Sequence, residues 1–143
     1  MIKQFHGEHA FLSNFHPSPI TIDGILYSTV EHAFQAAKTN DTATKQTIAA
    51  KDTPGKAKRA GGKRGILTDF DQTAWESVKI QTMERLLRLK FQDPTLAAQL
   101  KATGDQELQE GNIWNDTVWG ISLKTGKGQN HLGKLLMKIR SEI

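Results

Sequence analysis

An apolar stripe in the middle of the chain constrains the fold more strongly than any other feature of the sequence. Its members recur at the spacing of one helix face: Trp75, Val78, Met83, Leu86, Leu87 and Phe91. Such a stripe buries one side of an amphipathic helix against the rest of a protein. Thr73 stands three residues before Glu76, as in the capping box that marks a helix start. We therefore predict a central core helix that begins near Thr73.

Cap signals divide much of the remaining chain into short helices. Ser28, three residues before Glu31, forms a second capping box. Thr53–Pro54 and Asp93–Pro94 each place a capping side chain before a proline at the first helical position. The predicted helices span roughly residues 28–38, 41–50, 54–60, 94–103 and 129–140.

Two further regions complete the predicted architecture. Residues 20–27 surround Asp23–Gly24, a dipeptide that favours the type I′ turn of a two-residue β-hairpin. Residues 105–128 show little periodicity and are expected to be irregular. The sequence thus predicts an α+β fold, predominantly helical, with a small N-terminal β-hairpin or sheet. We expect a single domain over residues 1–143.

Composition narrows the classes of protein to consider. The absence of cysteine excludes disulfides, thiolate zinc sites and a cysteine nucleophile. His6 and His9 lie three residues apart without a zincin pattern, so we expect no metal site, and no cofactor is indicated. The first residues lack the apolar core of a signal peptide, and no run is long enough to span a membrane. We expect a cytoplasmic protein without membrane association.

Basic residues are concentrated in two segments of a chain whose formal net charge is +4. Residues 51–64 hold six Lys or Arg against one Asp, which gives +5. Residues 122–143 hold five Lys or Arg against one Glu, which gives +4. Such clustering fits a polyanionic ligand, for example a dinucleotide or a nucleic acid. A solvated, lysine-rich surface explains the same numbers, and charge alone favours that interpretation.

A polar face on the helix that follows Ser28 is the first candidate site. Glu31, Gln35 and Lys38 are spaced i, i+4 and i+7, so they share that face. One interpretation is a solvated face on which Glu31 serves only as the capping-box acid. The loop Phe11–Phe15, which is aromatic and amide-bearing, is typical instead of a ligand cleft.

The irregular region supplies two weaker signals. Trp114 and Trp119 flank Asp116 in a segment without periodicity. Tryptophan in a loop can stack on bases, or it can fill the core beneath the loop. Asp116 between two indoles would be a carboxylate in a partly apolar pocket, where its pKa can be tuned. Residues 125–133 are rich in glycine before a helix start, a common arrangement that can also bind phosphate.

Carboxylates, one lysine and aromatic side chains together suit cleavage of an N-glycosidic bond. The sugar passes through an oxocarbenium-like state, so a carboxylate can stabilise the developing charge and activate water. We predict Glu31 and Asp116 as that pair, by analogy with the two carboxylates of O-glycosidases. Lys38 offers another route, in which its amine attacks C1 of the opened sugar as an imine if burial lowers its pKa. The sequence leaves both routes open.

The chain also resembles the NADAR domain (YbiA-like) family. The resemblance is carried, in order and over nearly the whole chain, by Phe11–Phe15, Tyr27–Lys38, Trp75–Lys79, Leu89–Phe91, Ala102–Gly104, Asn115–Gly120 and Gly126–Met137. It implies a mainly helical α+β domain that acts on N-glycosides. Members of the family remove ADP-ribose from guanine in nucleic acid, some as antitoxins to DNA ADP-ribosyltransferases. Others hydrolyse ribosylated pyrimidine intermediates of riboflavin synthesis.

The resemblance implies roles for individual residues. Glu31, Trp75, Asp116 and Trp119 match active-site positions of the family, and Lys38 matches the lysine of its first motif. The remaining predicted ligand contacts lie within or beside these motifs: Asn14, Phe15, Tyr27, His32, Gln35, Lys63, Arg64, Trp114, Gly120, Gly128 and Asn130.

One departure from the family pattern concerns phosphate binding. Relatives often have Gly-Arg after the basic helix, where this chain has Gly61–Gly62–Lys63–Arg64. Lys63 or Arg64 would then be the cation that contacts phosphate.

Three functions follow as hypotheses. Removal of ADP-ribose from guanine in nucleic acid comes first, because two basic segments suit a substrate with additional phosphates. The alternatives are a hydrolase of ribosylaminopyrimidine phosphates and a non-catalytic module that binds NAD or ADP-ribose. The predicted partners are an ADP-ribose-type nucleotide or ribosylated base, ADP-ribosylated DNA or RNA, and a toxin that is a DNA ADP-ribosyltransferase.

Overall fold

Helices account for most of the regular structure in the computed structural model, which describes residues 1–143. The six α-helices are α1 Val30–Ala36, α2 Thr42–Ala49, α3 Pro54–Ala60, α4 Gln72–Lys90, α5 Pro94–Ala102 and α6 His131–Ser141. A 3₁₀ helix spans Gly7–Leu12, and the four strands are β1 Ile20–Ile22, β2 Ile25–Tyr27, β3 Gly111–Asn112 and β4 Ile121–Ser122. The predicted α+β fold with predominant helix is confirmed. None of the helices is both long and apolar enough to cross a membrane.

The chain folds as two compact units, which we describe separately. The hairpin unit is Asn14–Lys90, and the terminal unit combines Met1–Ser13 with Phe91–Ile143. The hairpin unit therefore contains β1, β2 and helices α1 to α4. The terminal unit contains the 3₁₀ helix, β3, β4, α5 and α6. A single domain over the whole chain stays a prediction.

The β-hairpin that gives the hairpin unit its name has the predicted turn. Strands β1 and β2 pair antiparallel, with Ile20 opposite Tyr27. Asp23 and Gly24 both have positive φ, 50° and 79°, as a type I′ turn requires. Helix α1 begins three residues after β2 and packs against α2, α3 and α4. The hairpin thus leads directly into the helix at the centre of its unit.

Two predicted helix caps are wrong by one or two residues. The cap of α1 is Thr29, whose hydroxyl accepts from the His32 N–H; it is not Ser28. Asp71 plays this part before α4, since its Oδ1 accepts from the Ala74 N–H, whereas Thr73 lies inside the helix. In both places two side chains near the helix start are able to cap it. The local backbone conformation decides which of them reaches the free N–H groups.

The predicted core stripe is correct except at one position. Trp75, Met83, Leu86 and Leu87 are buried on α4, and Phe91 is buried just beyond its end. Val78 is exposed and does not belong to the core. An α-helix repeats every 3.6 residues, so a stripe with uneven spacing places one of its members at the edge of the buried face.

The terminal unit contains short strands that the sequence did not predict. Strand β3 pairs in parallel with β4, and Gly111 lies opposite Ile121. On its other side, the segment before β3 bonds to the N-terminus: the Ile2 N–H donates to the Glu107 carbonyl, and the Gln109 N–H donates to the Ile2 carbonyl. Strands of two residues carry no periodicity, so this part of the chain looked irregular in the sequence.

Candidate active site

The polar face of α1 is buried, although its residues are charged or carry an amide. Glu31 is 8% exposed and Gln35 is 5% exposed. The Gln35 Nε2 amide donates to Glu31 Oε2 across 2.9 Å. Because Thr29 is the cap, Glu31 is not the acid of a capping box. Of the two interpretations of this face, the solvated surface is therefore excluded.

Lys38 lies just after α1 and brings an amine to the same region. Its Nζ donates to the Gly61 carbonyl across 3.1 Å. Burial lowers the pKa of Lys38 below its ordinary value of 10.5, the Glu31 carboxylate opposes that change, and the neighbouring Lys58 and Lys79 add to it. The result is an amine that loses its proton more readily than an exposed lysine.

Two aromatic rings lie near the Lys38 amine. Its Nζ lies 5.8 Å from the centre of the Phe70 ring and 5.9 Å from that of Trp75. Trp75 in turn packs on Phe34, with ring centroids 5.0 Å apart. The predicted position of Trp75 in the site is consistent with these contacts. Phe70 was missed, because it lies in the irregular segment before α4, where no motif or periodicity marks it.

Two buried oxygen atoms beside this face have no hydrogen-bond partner. They are Asn14 Oδ1 and Gln35 Oε1. Asn14 is held against α1, because its carbonyl accepts from the Glu31 N–H across 3.1 Å. Its Nδ2 contacts the sulfur of Met83 at 3.5 Å. Unpartnered buried acceptors are unusual in proteins, and a ligand that carries N–H or O–H groups would satisfy them.

His32, predicted as a ligand contact, is fully engaged with the protein. It is 1% exposed. Its Nε2 donates to the Lys51 carbonyl at 2.9 Å, and its Nδ1 lies 2.7 Å from the Thr29 hydroxyl. Since the carbonyl can only accept, Nδ1 is left to accept from the hydroxyl. His32 therefore links the start of α1 to the end of α2, an arrangement that suits positioning of α1.

Four other predicted contacts of the hairpin unit differ in exposure. Tyr27 is buried on β2, and burial together with the Asp23 carboxylate raises the pKa of its hydroxyl. Phe15 is exposed, and so are Lys63 and Arg64 in the segment after α3. The exposed side chains are accessible to a ligand. Lys58 and Lys79, which sequence reasoning did not single out, are the cations that act on Lys38.

In the terminal unit, Asp116 holds a loop together. Its Oδ1 accepts from the N–H groups of Val118 and Trp119 at 3.1 and 2.9 Å. Asn112 fixes the same loop: its Oδ1 accepts from the Asp116 N–H, and its Nδ2 donates to the Asp116 carbonyl, each at 2.9 Å. Asn112 was not predicted. A single asparagine in an irregular sequence carries no signal that it will be buried and saturated with hydrogen bonds.

Asn130 organises the approach to α6. It adopts a left-handed conformation with φ of 54°. Its Oδ1 accepts from the Glu110 N–H at 3.1 Å, and its Nδ2 donates to the Leu108 carbonyl at 2.9 Å. Its amide is therefore used within the protein, and its predicted role as a ligand contact remains a prediction.

The predicted glycines and tryptophans of this unit fall into different environments. A Cβ at Gly120 would overlap Glu110, and a Cβ at Gly128 would overlap the Gly120 backbone, so both glycines permit close packing of the loop. Trp119 is partly buried and meets His131 edge-on at 6.2 Å. Trp114 is 58% exposed and is available for stacking on a ligand.

The structure therefore groups the predicted residues by unit. Asn14, Glu31, Gln35, Lys38 and Trp75 form one cluster around α1 in the hairpin unit. Asp116, Trp119, Gly120, Gly128 and Asn130 belong to the terminal unit. No group of three or more His, Cys, Asp or Glu side chains is arranged to hold a metal ion.

Known proteins resemble this chain over nearly its whole length. The NADAR domain family model matches residues 2–143. The N-glycosidase YbiA of Escherichia coli K12 is 39% identical over 137 residues, which are 95% of this chain and 82% of that protein. A riboflavin biosynthesis protein of Vibrio vulnificus is 34% identical over 136 residues. These are 94% of this chain and 36% of that protein, so the chain spans about a third of the length of this relative.

A solved structure is similar as well. The NMR structure of E. coli YbiA superposes with a TM-score of 0.82 at 37% sequence identity. The match covers 99% of this chain and 84% of the other.

Proposed function

Because the chain belongs to the NADAR domain family, we propose that it is an N-glycosidase that hydrolyses the bond between ribose and a nitrogenous base. The observation that carries the proposal is the cluster on α1. A buried carboxylate, Glu31, and an amine of lowered pKa, Lys38, share one face, and an aromatic ring, Trp75, lies against the amine. A titratable group with a perturbed pKa in such a cluster is typical of catalytic sites.

In the first of two routes, water is the nucleophile. The bond between C1′ and the base nitrogen breaks, its electron pair stays with the base, and C1′ acquires positive charge. The Glu31 carboxylate stabilises that charge and takes a proton from the water that adds to C1′. The base takes up a proton from solvent as it leaves, and Glu31 returns its own proton to solvent afterwards. Gln35, bonded to Glu31 Oε2, orients the carboxylate for this step.

In the second route, Lys38 is the nucleophile. The sugar ring opens, the neutral amine bonds to C1′, and the base leaves with the electron pair of its bond and a proton. The imine that remains is hydrolysed by water, which regenerates the amine and releases the sugar as an aldehyde that closes again. The lowered pKa of Lys38 supports this route, since only the unprotonated amine attacks. Asp116 as a second catalytic carboxylate stays a prediction of the sequence.

The substrate that we propose is guanine-linked ADP-ribose in nucleic acid. The exposed side chains of Lys63 and Arg64, in a basic segment, support it because they can contact phosphates. Asn14 Oδ1 and Gln35 Oε1 are free to accept from ribose hydroxyls or base N–H groups. On this hypothesis the enzyme acts in the cytoplasm and reverses the modification made by a DNA ADP-ribosyltransferase toxin.

A second candidate substrate is favoured by the name of one relative. The V. vulnificus protein is called a riboflavin biosynthesis protein, which suggests ribosylaminopyrimidine phosphates as ligands. The same cluster on α1 would cleave that smaller glycoside. A non-catalytic module that binds NAD or ADP-ribose is less well supported, because binding alone requires neither a buried carboxylate nor an amine of lowered pKa.

One experiment separates these functions. The protein is incubated with an ADP-ribosylated guanine oligonucleotide and, separately, with a ribosylaminopyrimidine phosphate, and products are followed by mass. We expect unmodified oligonucleotide from the first, with a steep dependence on salt concentration. Release of only the pyrimidine would establish the second function. Release from neither substrate would refute both enzymatic hypotheses.

A further inference from the structure

Gly61 touches two of the three polar groups of the α1 face. It follows α3 as its C-cap, with φ of −88°, so its backbone does not need glycine. Space is the constraint instead. A Cβ at this position would overlap Gln35 Oε1 and lie 2.9 Å from Gln35 Cβ and 3.0 Å from Gln35 Cδ.

Gln35 cannot move aside without losing its partner. The overlapped oxygen belongs to the same amide whose Nε2 donates to Glu31 Oε2. Rotation of the amide away from residue 61 would therefore take Nε2 away from the carboxylate. The contact at Gln35 Cβ is harder to relieve, because that atom is fixed to α1, and α1 packs closely on α3.

The carbonyl of Gly61 meets the other catalytic group. It accepts from Lys38 Nζ at 3.1 Å. A shift of residue 61 would therefore move Lys38 while it releases Glu31.

We propose that Gly61 is a positioning residue, which sets the separation between the Glu31 carboxylate and the Lys38 amine through Gln35. The role in catalysis rests on the proposed N-glycosidase function. The geometric part, that Gly61 keeps the Gln35 amide on Glu31, does not depend on which substrate is cleaved.

Gly61→Ala tests the proposal, and Gly62→Ala is its matched control. A Cβ at Gly62 would make only ordinary contacts, at 3.4 Å or more, with backbone oxygens of α3. We expect Gly61→Ala to lower kcat on the order of 100-fold with little change in KM, since small displacements of reacting groups have effects of this size. Gly62→Ala should match the wild type. Equal kcat in the two variants would overturn the proposal.

A spectroscopic measurement tests the geometry without substrate. In the wild type, the Gln35 side-chain amide should show an NMR signal that follows the ionisation of Glu31, because Nε2 is bonded to that carboxylate. The signal is assigned by its loss in Gln35→Ala. We expect the pH response to disappear in Gly61→Ala and to persist in Gly62→Ala. A response that persists in Gly61→Ala would contradict the proposed geometry even if no activity is found.

A double-mutant cycle shows whether Gly61 acts through Gln35, and it also serves if Gly61→Ala folds poorly. Gln35→Gly removes all three Gln35 atoms that the new Cβ would meet, Cβ included. Adding Gly61→Ala to Gln35→Gly should therefore lower kcat by less than about threefold, against the fall on the order of 100-fold expected in the parent. The same factor in both backgrounds would show that the effect does not pass through Gln35. An inactive wild type would refute the proposed function instead, and the NMR result would then decide on Gly61.

Discussion

The hairpin unit and the terminal unit bury different kinds of polar side chain. The buried polar residues of the hairpin unit include the ionisable groups Glu31, His32 and Lys90. Those of the terminal unit are all neutral: Thr103, Asn112, Ser122 and Asn130. Burial of an ionisable group costs free energy unless partners compensate it, whereas a buried amide bonded to backbone groups stabilises a loop.

This difference suggests that the buried polar groups of the hairpin unit serve catalysis, whereas those of the terminal unit serve stability. In the hairpin unit, burial lowers the pKa of Lys38 and lowers that of Lys90 to about 7. Groups with perturbed pKa values are more frequent at catalytic sites, and of these two lysines Lys38 belongs to the cluster on α1. In the terminal unit, Asn112 and Asp116 direct their side-chain oxygens to backbone N–H groups. Substitutions in the first unit should therefore act on catalysis, and those in the second on stability.

The strongest test of the comparison is Glu31→Gln. Glutamine has nearly the shape of glutamate but can neither stabilise positive charge by ionic attraction nor accept a proton from water. We expect kcat to fall on the order of 10⁴-fold, at the upper end of general-base effects, with the melting temperature nearly unchanged. Steady-state release of the base measures the first, and calorimetry the second.

The control for this variant is Glu107→Gln, which neutralises an exposed carboxylate of the terminal unit. It should leave kcat unchanged. If Glu31→Gln retained activity, Glu31 would have no part in the mechanism, and the contrast between the units would lose its main support.

Lys38→Arg distinguishes the two catalytic routes. Arginine keeps the positive charge but cannot form the imine. If the amine is the nucleophile, we expect kcat to fall on the order of 10³-fold, and borohydride should trap a sugar adduct only on the wild type. Lys101→Arg, on the exposed side of α5, is the control and should keep full activity.

The pH dependence of the rate also distinguishes the two roles of Lys38, because the rate rises with pH in one case and falls in the other. The neutral amine attacks, so the rate should rise with pH and level off at the pKa of Lys38, which burial holds below 10.5. This limb should vanish in Lys38→Arg. If Lys38 only supplies positive charge, the rate should instead fall as pH rises through the same pKa.

Much of the hairpin unit could be predicted from the sequence because its signals are local. The turn at Asp23–Gly24 and the cap at Thr53 follow from rules that span a few residues. The spacing of Glu31, Gln35 and Lys38 placed them on one face. That this face is buried could not be predicted, since it depends on α3 and α4 packing against α1.

The terminal unit could be predicted less well because its structure depends on contacts between distant residues. Asn130 bonds to Glu110 and Leu108, which lie 20 and 22 positions away in the chain. No local sequence pattern predicts hydrogen-bond partners at such distances along the chain. The same limit applies to one residue of the hairpin unit. Phe70 contacts the Lys38 amine from an irregular segment, so no periodicity could have identified it.

Asn112→Ala should act on stability. The side chain is buried and bonds to Glu110 Oε2 at 3.0 Å as well as to Asp116. Its loss removes hydrogen bonds from the partly buried backbone N–H and carbonyl of Asp116, which we expect to cost about 3 kcal/mol. Chemical denaturation measures this as a lower midpoint with an unchanged slope. Asn40→Ala, at an exposed position, is the control and should cost almost nothing. A loss of kcat at full stability would show that the terminal unit acts directly in the reaction.

The smallest expected effect is that of Asp116→Asn, and it bears most directly on the predicted carboxylate pair. Asparagine keeps Oδ1 as an acceptor for the Val118 and Trp119 N–H groups but removes the charge. If Asp116 only holds the loop, kcat should change by less than about threefold, because Asn retains the acceptor that bonds to the two backbone N–H groups. Asp116→Ala removes the acceptor as well and should cost about 1 kcal/mol of stability. A fall in kcat as large for Asp116→Asn as for Glu31→Gln would instead make Asp116 the second catalytic carboxylate. Substitutions in the terminal unit would then act on catalysis as well as on stability, and the contrast between the two units would no longer hold.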